Sequence, residues 1–232
     1  MGIHIMPPLY KMVITPPPIE VIVVIYPDAH PESKSVDGYV WHFSGAFSWA
    51  EMVAAAGSNS SDDATVIGVG GFQAATAEGA WLSLTRGIIL FDTSELTDEA
   101  VKKSATLSLH GDSKVDTLGA APNINIYSSN PTVNASLQAK DYKTLGSTPY
   151  CDTPIAYADW DTAGWNSFEL NAAGLAAISK TGITKLGTRN ANYDVAGISP
   201  TWKASRKRSI LVCVSAEGAT NKKPKLTITY KI

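Results

Sequence analysis

The stretch "RGIILFDTSEL", residues 86–96, runs four apolar side chains without a break into a carboxylate, Asp92. A reacting group there would make the chain an enzyme, whereas a loop-holding group would make the stretch part of a scaffold. The residues favour the second reading. Asp92 closes the run "WLSLTRGIILF" (81–91), and Thr93 and Ser94 follow it. A carboxylate so placed accepts nearby backbone N–H groups and fixes the turn. If partly buried it requires a cation, and Arg86 or Arg189 could supply one.

Outward from this stretch the chain shows short strand signals separated by Gly, Asn, Ser and Asp. They are "GYVWHF" (38–43), "ATVIGVG" (64–70), "ATLSLH" (105–110), "NINIYS" (123–128), "WNSFEL" (165–170), "ITKLGTR" (183–189), "SILVCVS" (209–215) and "KLTITYK" (225–231). Several alternate apolar with polar residues, the pattern of a half-buried strand. Two helical inserts are expected: 47–57 with Ser48 as N-cap, and 171–182 with Asn171 as N-cap. The expected fold is all-β: a jelly-roll-like sandwich, mostly antiparallel, with short helical inserts.

Residues 1–35 read differently, as an extended Pro-rich arm ahead of a domain spanning 36–232. Within the arm "IEVIVVIY" (19–26) is too apolar to lie in water. Either it is the first strand of the domain, or Ile19, Val21, Ile22, Val23, Val24, Ile25 and Tyr26 dock onto a partner that covers both faces. The apolar runs are broken by prolines and too short to span a bilayer, so neither a signal peptide, a lipid anchor nor a membrane span is expected.

The chain has 232 residues, 44% hydrophobic and 17% charged, which suits a packed globular protein. Its net charge of -2 gives no positive field for nucleic acid, so no such partner is expected. Cys151 and Cys213 are too few for a disulfide framework, and Cys213 reads as a buried thiol in a strand. "GVGGFQ" (68–73) lacks the last glycine of a dinucleotide loop and is expected to be a turn. The four histidines show no zinc spacing, and His110 with Asp112 and Ser113 reads as a turn rather than a triad. No cofactor or metal site is expected; structural Ca²⁺ at "NSSDDA" (59–64) would lack a defined ligand spacing.

"YADWDTAGW" (157–165) is the strongest chemical signal. Asp159 and Asp161 flank Trp160, and Glu169 follows, as glycoside hydrolysis would need. The same spacing makes a self-capping loop, with Trp160 and Trp165 as core residues or as platforms for a sugar. No catalytic residue is assigned, and Trp160 and Trp165 are the candidate glycan contacts.

Read in order, "RGIILFDTSEL", "SATLSLHG", "WNSFELN", "ITKLGTRNANYDV", "RKRSILVCVSAE" and "KPKLTITY" resemble the DNRLRE family of β-sandwich domains, related to disaggregatase-associated modules. The C-terminal match is carried by Pro224, Leu226 and Tyr230, and "TRNANYDVAG" keeps Arg189 and Asp194 while departing from the family form between them. The resemblance implies a sandwich in which Arg86, Phe91, Asp92, Arg189 and Asp194 are structural. Some members resemble carbohydrate-binding modules; stand-alone members with "VDGYV" near the start look like phage virion proteins. The leading expectation is thus a non-enzymatic capsid or tail surface protein of a tailed phage. It would be located in the virion, held through its arm to other virion proteins and to copies of itself, with a host-surface glycan as a further partner. The alternative is a carbohydrate-binding module.

Overall fold

The structure is a computed structural model and describes residues 17–232; the arm before residue 17 lies outside them. Every strand pairing is antiparallel. Twelve strands form the ladder: β1 (Glu20–Ile25), β2 (Asp37–Phe47), β3 (Asn59–Ser61), β4 (Val66–Gly68), β5 (Phe72–Ala74), β6 (Trp81–Asp92), β7 (Val101–Asp116), β8 (Ile124–Ser128), β9 (Trp165–Glu169), β10 (Ile183–Asn190), β11 (Arg208–Val214) and β12 (Lys225–Lys231). Two helices interrupt them, α1 (Trp49–Ala54) and α2 (Ala172–Ala177).

The architecture is a β-sandwich whose two layers share β7. From residue 101 to 110 this strand pairs with β12 and β9, and from 111 to 116 it pairs with β11. The first layer is therefore β1-β12-β7-β9, and the second holds β11, β5, β6, β10 and β8 with β2, β3 and β4 attached. Ala105, Leu107, Leu109, Phe168, Leu226 and Ile228 of the first layer meet Ile89, Phe91, Ile126, Leu186, Leu211 and Cys213 of the second. Each large side chain so buried contributes about 1.5–3 kcal/mol.

The second layer is covered on its other face too. Trp49 and Met52 of α1, with Tyr142 and Leu145, pack over Ile88, Leu90, Leu84 and Trp81 of β6. This explains the unbroken "GIILF": Ile89 and Phe91 face one core, Ile88 and Leu90 the other, so no position is left for water. Gly87 is needed in this run because a Cβ there would lie 2.3 Å from the Thr188 hydroxyl of β10.

Both expected helices form, shorter than the runs suggested. Ser48 caps α1 in a capping box with Glu51, and Asn171 caps α2 through Gly174. Three expectations change. "GVGGFQ" is not only a turn, because Phe72–Ala74 pairs with β6 and β11. "GDS" (111–113) does not end a strand, since β7 runs on to Asp116. And 19–26 is not separated from the sandwich: β1 pairs with β12 through six residues, with Val23 and Ile25 against the core. Among the described residues its other face is open, with Ile22 66% and Val24 44% exposed.

Candidate functional site

The first layer has one dry face and one wet face, and side-chain alternation decides what the wet face displays. On β9, Asn166 and Phe168 point inward while Trp165, Ser167 and Glu169 point out. Across from them on β7 lie His110, Ser108 and Thr106 in register. The Ser108 and Ser167 hydroxyls are 3.2 Å apart. Trp165 is 37% exposed, with the His110 ring edge-on at 5.3 Å and the Lys225 ammonium 4.0 Å from its ring centroid. The ammonium occupies one ring face, and the indole keeps part of its surface open.

The preceding loop fixes where Trp165 begins its strand. The Asp161 carboxylate accepts from the Ala163 N–H, and the Asn166 amide donates to the Asp161 carbonyl. Gly111 N–H donates to the Gly164 carbonyl, and a Cβ on Gly111 would lie 1.8 Å from the Asp161 carbonyl oxygen. The loop thus seats directly on β7, and Asp161 is a cap rather than a reactive group.

Beside the edge of β9, which among the described residues pairs only with β7, runs a groove of about 550 Å³ lined by Asp152, Asp159, Ser167, Glu169 and Asn171 together with the apolar Pro154 and Ile155. Asn171 donates to Asp152 at 3.0 Å while capping α2. Ser167 lies two residues from Trp165 on the same face, about 7 Å along the strand, so platform and groove form one continuous surface. Asp159 and Glu169, ten positions apart, share this groove. Both are exposed.

The other candidate is placed differently. Trp160 is 2% exposed and packs in the core between the layers, so it offers no face to a sugar. Cys151 and Cys213 are free and buried, and burial pushes the Cys151 thiol up to about 12.

Of the residues marked as structural, the charged ones pair differently from the expectation. Arg86 and Arg189 do not neutralise Asp92. Both form paired bonds to Asp194, with Nε to Oδ2 at 2.8 Å in each case and terminal nitrogens to Oδ1 at 2.6 and 2.7 Å. Arg86 also donates to the carbonyls of Tyr142 and Val53, and Arg189 to that of Gly146. Burial alone would raise Asp194, but the two guanidiniums hold it below the usual carboxylate range. The cluster ties β6 and β10 to α1 and to the segment near Tyr142. Asp92 instead pairs with Lys34 at 2.8 Å and accepts from the N–H and hydroxyl of Ser94, and these hydrogen bonds lower it to about 2. Phe91 is fully buried.

Sequence reading missed a second carboxylate group at the start of β2. Asp37 is fully buried and accepts from the Ala216 N–H, while its other oxygen has no partner. Burial and the nearby Glu217 and Glu32 raise it well above the usual range. Among the described residues no group of three metal-ligating side chains is arranged to hold an ion; Asp62 and Asp63 of "NSSDDA" cap the Leu137 N–H and the Ser61 hydroxyl. Among the same residues, no helix is long and apolar enough to cross a membrane.

No family model matches the chain, and no curated protein matches it. Among solved structures, a xylan-binding module CBM15 is similar over 90% of this chain and 96% of that one, with 11% identity and a TM-score of 0.33.

Proposed function

We propose that the protein is a non-catalytic carbohydrate-binding β-sandwich that takes a polysaccharide along the wet face of its first layer. The observation that carries this reading is Trp165, an exposed indole continuous with a groove of hydroxyl, amide and carboxylate groups. An apolar sugar face stacks on such a ring, while carboxylates and amides accept and donate to its hydroxyls. Asp152, Asp159 and Glu169 in the groove would repel uronates, so the ligand is a neutral polysaccharide. The virion placement and the DNRLRE kinship draw on the resemblance alone, and glycan binding stands with or without them.

Affinity electrophoresis against soluble neutral polysaccharides, with a polyuronate as comparison, tests the reading. Retardation by a neutral polymer is expected, weakened at least on the order of tenfold in Trp165→Ala, with unchanged thermal unfolding. A domain that binds no neutral polymer, or whose binding survives Trp165→Ala, overturns it.

A further inference from the structure

Four strands make up the first layer, with β9 and its Trp165 at one edge and β1 at the other. Ile19 and Ile232 exchange both backbone bonds at 3.0 and 3.1 Å. In an antiparallel ladder such bonded pairs alternate, so Val21, Val23 and Ile25 also spend their N–H and C=O groups on β12. The backbone groups of Glu20, Ile22, Val24 and Tyr26 therefore point away from the sheet. Among the described residues β1 pairs only with β12. Natural edges are usually guarded by charges, prolines or bulges, and the span 21–25 has none.

We infer that a second copy of this chain occupies that edge, its β1 pairing antiparallel about a two-fold axis at Val23. The strand is self-complementary in this register. Ile22 meets Val24 of the other copy twice, and each Glu20 lies opposite Tyr26, whose hydroxyl donates to the carboxylate, so no like charges face each other. Pro18 and Pro27 fall just outside the paired span, whereas a register centred on Ile22 would place Pro18, which has no N–H, opposite Tyr26. The exposed Ile22 and Val24 of both copies lie side by side as one apolar stripe on the joined wet face.

Antiparallel partners keep corresponding side chains on one side of the sheet, so the dimer joins two first layers into one eight-stranded sheet with both wet faces on the same side. Seven strand spacings of about 4.8 Å separate the two Trp165 rings across the sheet, and each ring lies five residues along the strands from the axis in opposite directions, so the rings stand about 48 Å apart. This consequence rests on the proposed glycan site; the pairing itself does not. Two sites on one side of a rigid sheet bind an extended polymer with avidity.

Sedimentation equilibrium of the full chain over a concentration series decides the pairing. A dimer is expected. Val24→Pro removes one outward N–H and leaves the bonds to β12 intact, and Ile22→Lys places charges on the joined stripe. Each weakens association by on the order of tenfold or more while circular dichroism remains unchanged. A wild-type chain that is monomeric throughout the series, or a dimer indifferent to both substitutions, overturns the inference. Should one variant unfold, the other decides. Loss of dimer with unchanged affinity for a soluble oligosaccharide separates this inference from the glycan reading.

Discussion

The two layers of the sandwich are built from the same kind of strand and end in opposite conditions. The second is covered on both faces, by the first layer on one side and by α1 with its neighbours on the other. Among the described residues the first is covered on one face only, and its strands alternate: "KLTITYK" buries Leu226 and Ile228 and shows Thr227 and Thr229. Stability is concentrated where both faces are dry, and the proposed binding lies where one is wet. A layer that must bind cannot bury both faces, and a layer that anchors a wet one benefits from doing so.

The contrast predicts its largest effect at the charge cluster inside the second layer. Asp194→Ala strands two buried guanidiniums and is expected to cost about 3–5 kcal/mol in urea unfolding. A cost under about 1 kcal/mol would show that water reaches the cluster. The tryptophan pair comes next. Trp160→Ala opens a cavity in the shared core and should cost about 3–5 kcal/mol, whereas Trp165→Ala on the wet face should cost under about 1 kcal/mol and act on binding. Similar costs for the two would erase the distinction between the faces.

Asp37→Asn should act in the other direction. The Asn oxygen keeps the Ala216 bond, and the buried charge beside Glu217 and Glu32, only partly offset by Lys223, is removed. A gain on the order of 1 kcal/mol at neutral pH is expected. Because the folded state holds this proton more tightly than the unfolded chain, wild-type stability should fall as pH rises from about 4 toward the raised folded value, then level off. The variant should lose that slope in thermal melts across pH. The smallest effect belongs to Asp92. Its lowered value means that its contribution is complete above about 4 and is lost as pH falls toward about 2. Asp92→Asn should flatten only that acid limb, since its partner Lys34 is a surface cation.

Much of this was legible in the chain. Period-two alternation placed β7, β9 and β12, the continuous run placed β6, and the Ser48 and Asn171 caps placed both helices, because each signal is local and strong. Short strands such as Asn59–Ser61 and Phe72–Ala74 carry too few residues to show a period, and only their partners define them.

By itself, then, the sequence determined element type, the antiparallel sandwich class and the local bonds from Ser94 to Asp92, since these follow from the neighbours of each residue. Tertiary structure decided the rest. Trp160 and Trp165 stand five residues apart in equally polar company, and only the seating of the Asp161 loop on Gly111 turns one into the core and the other to water. Arg86 finds Asp194 across 108 positions because β6 and β10 pair, and β10 delivers the turn that holds the carboxylate. Burial and long-range charge pairing depend on which surfaces meet, and no local pattern of side chains encodes that.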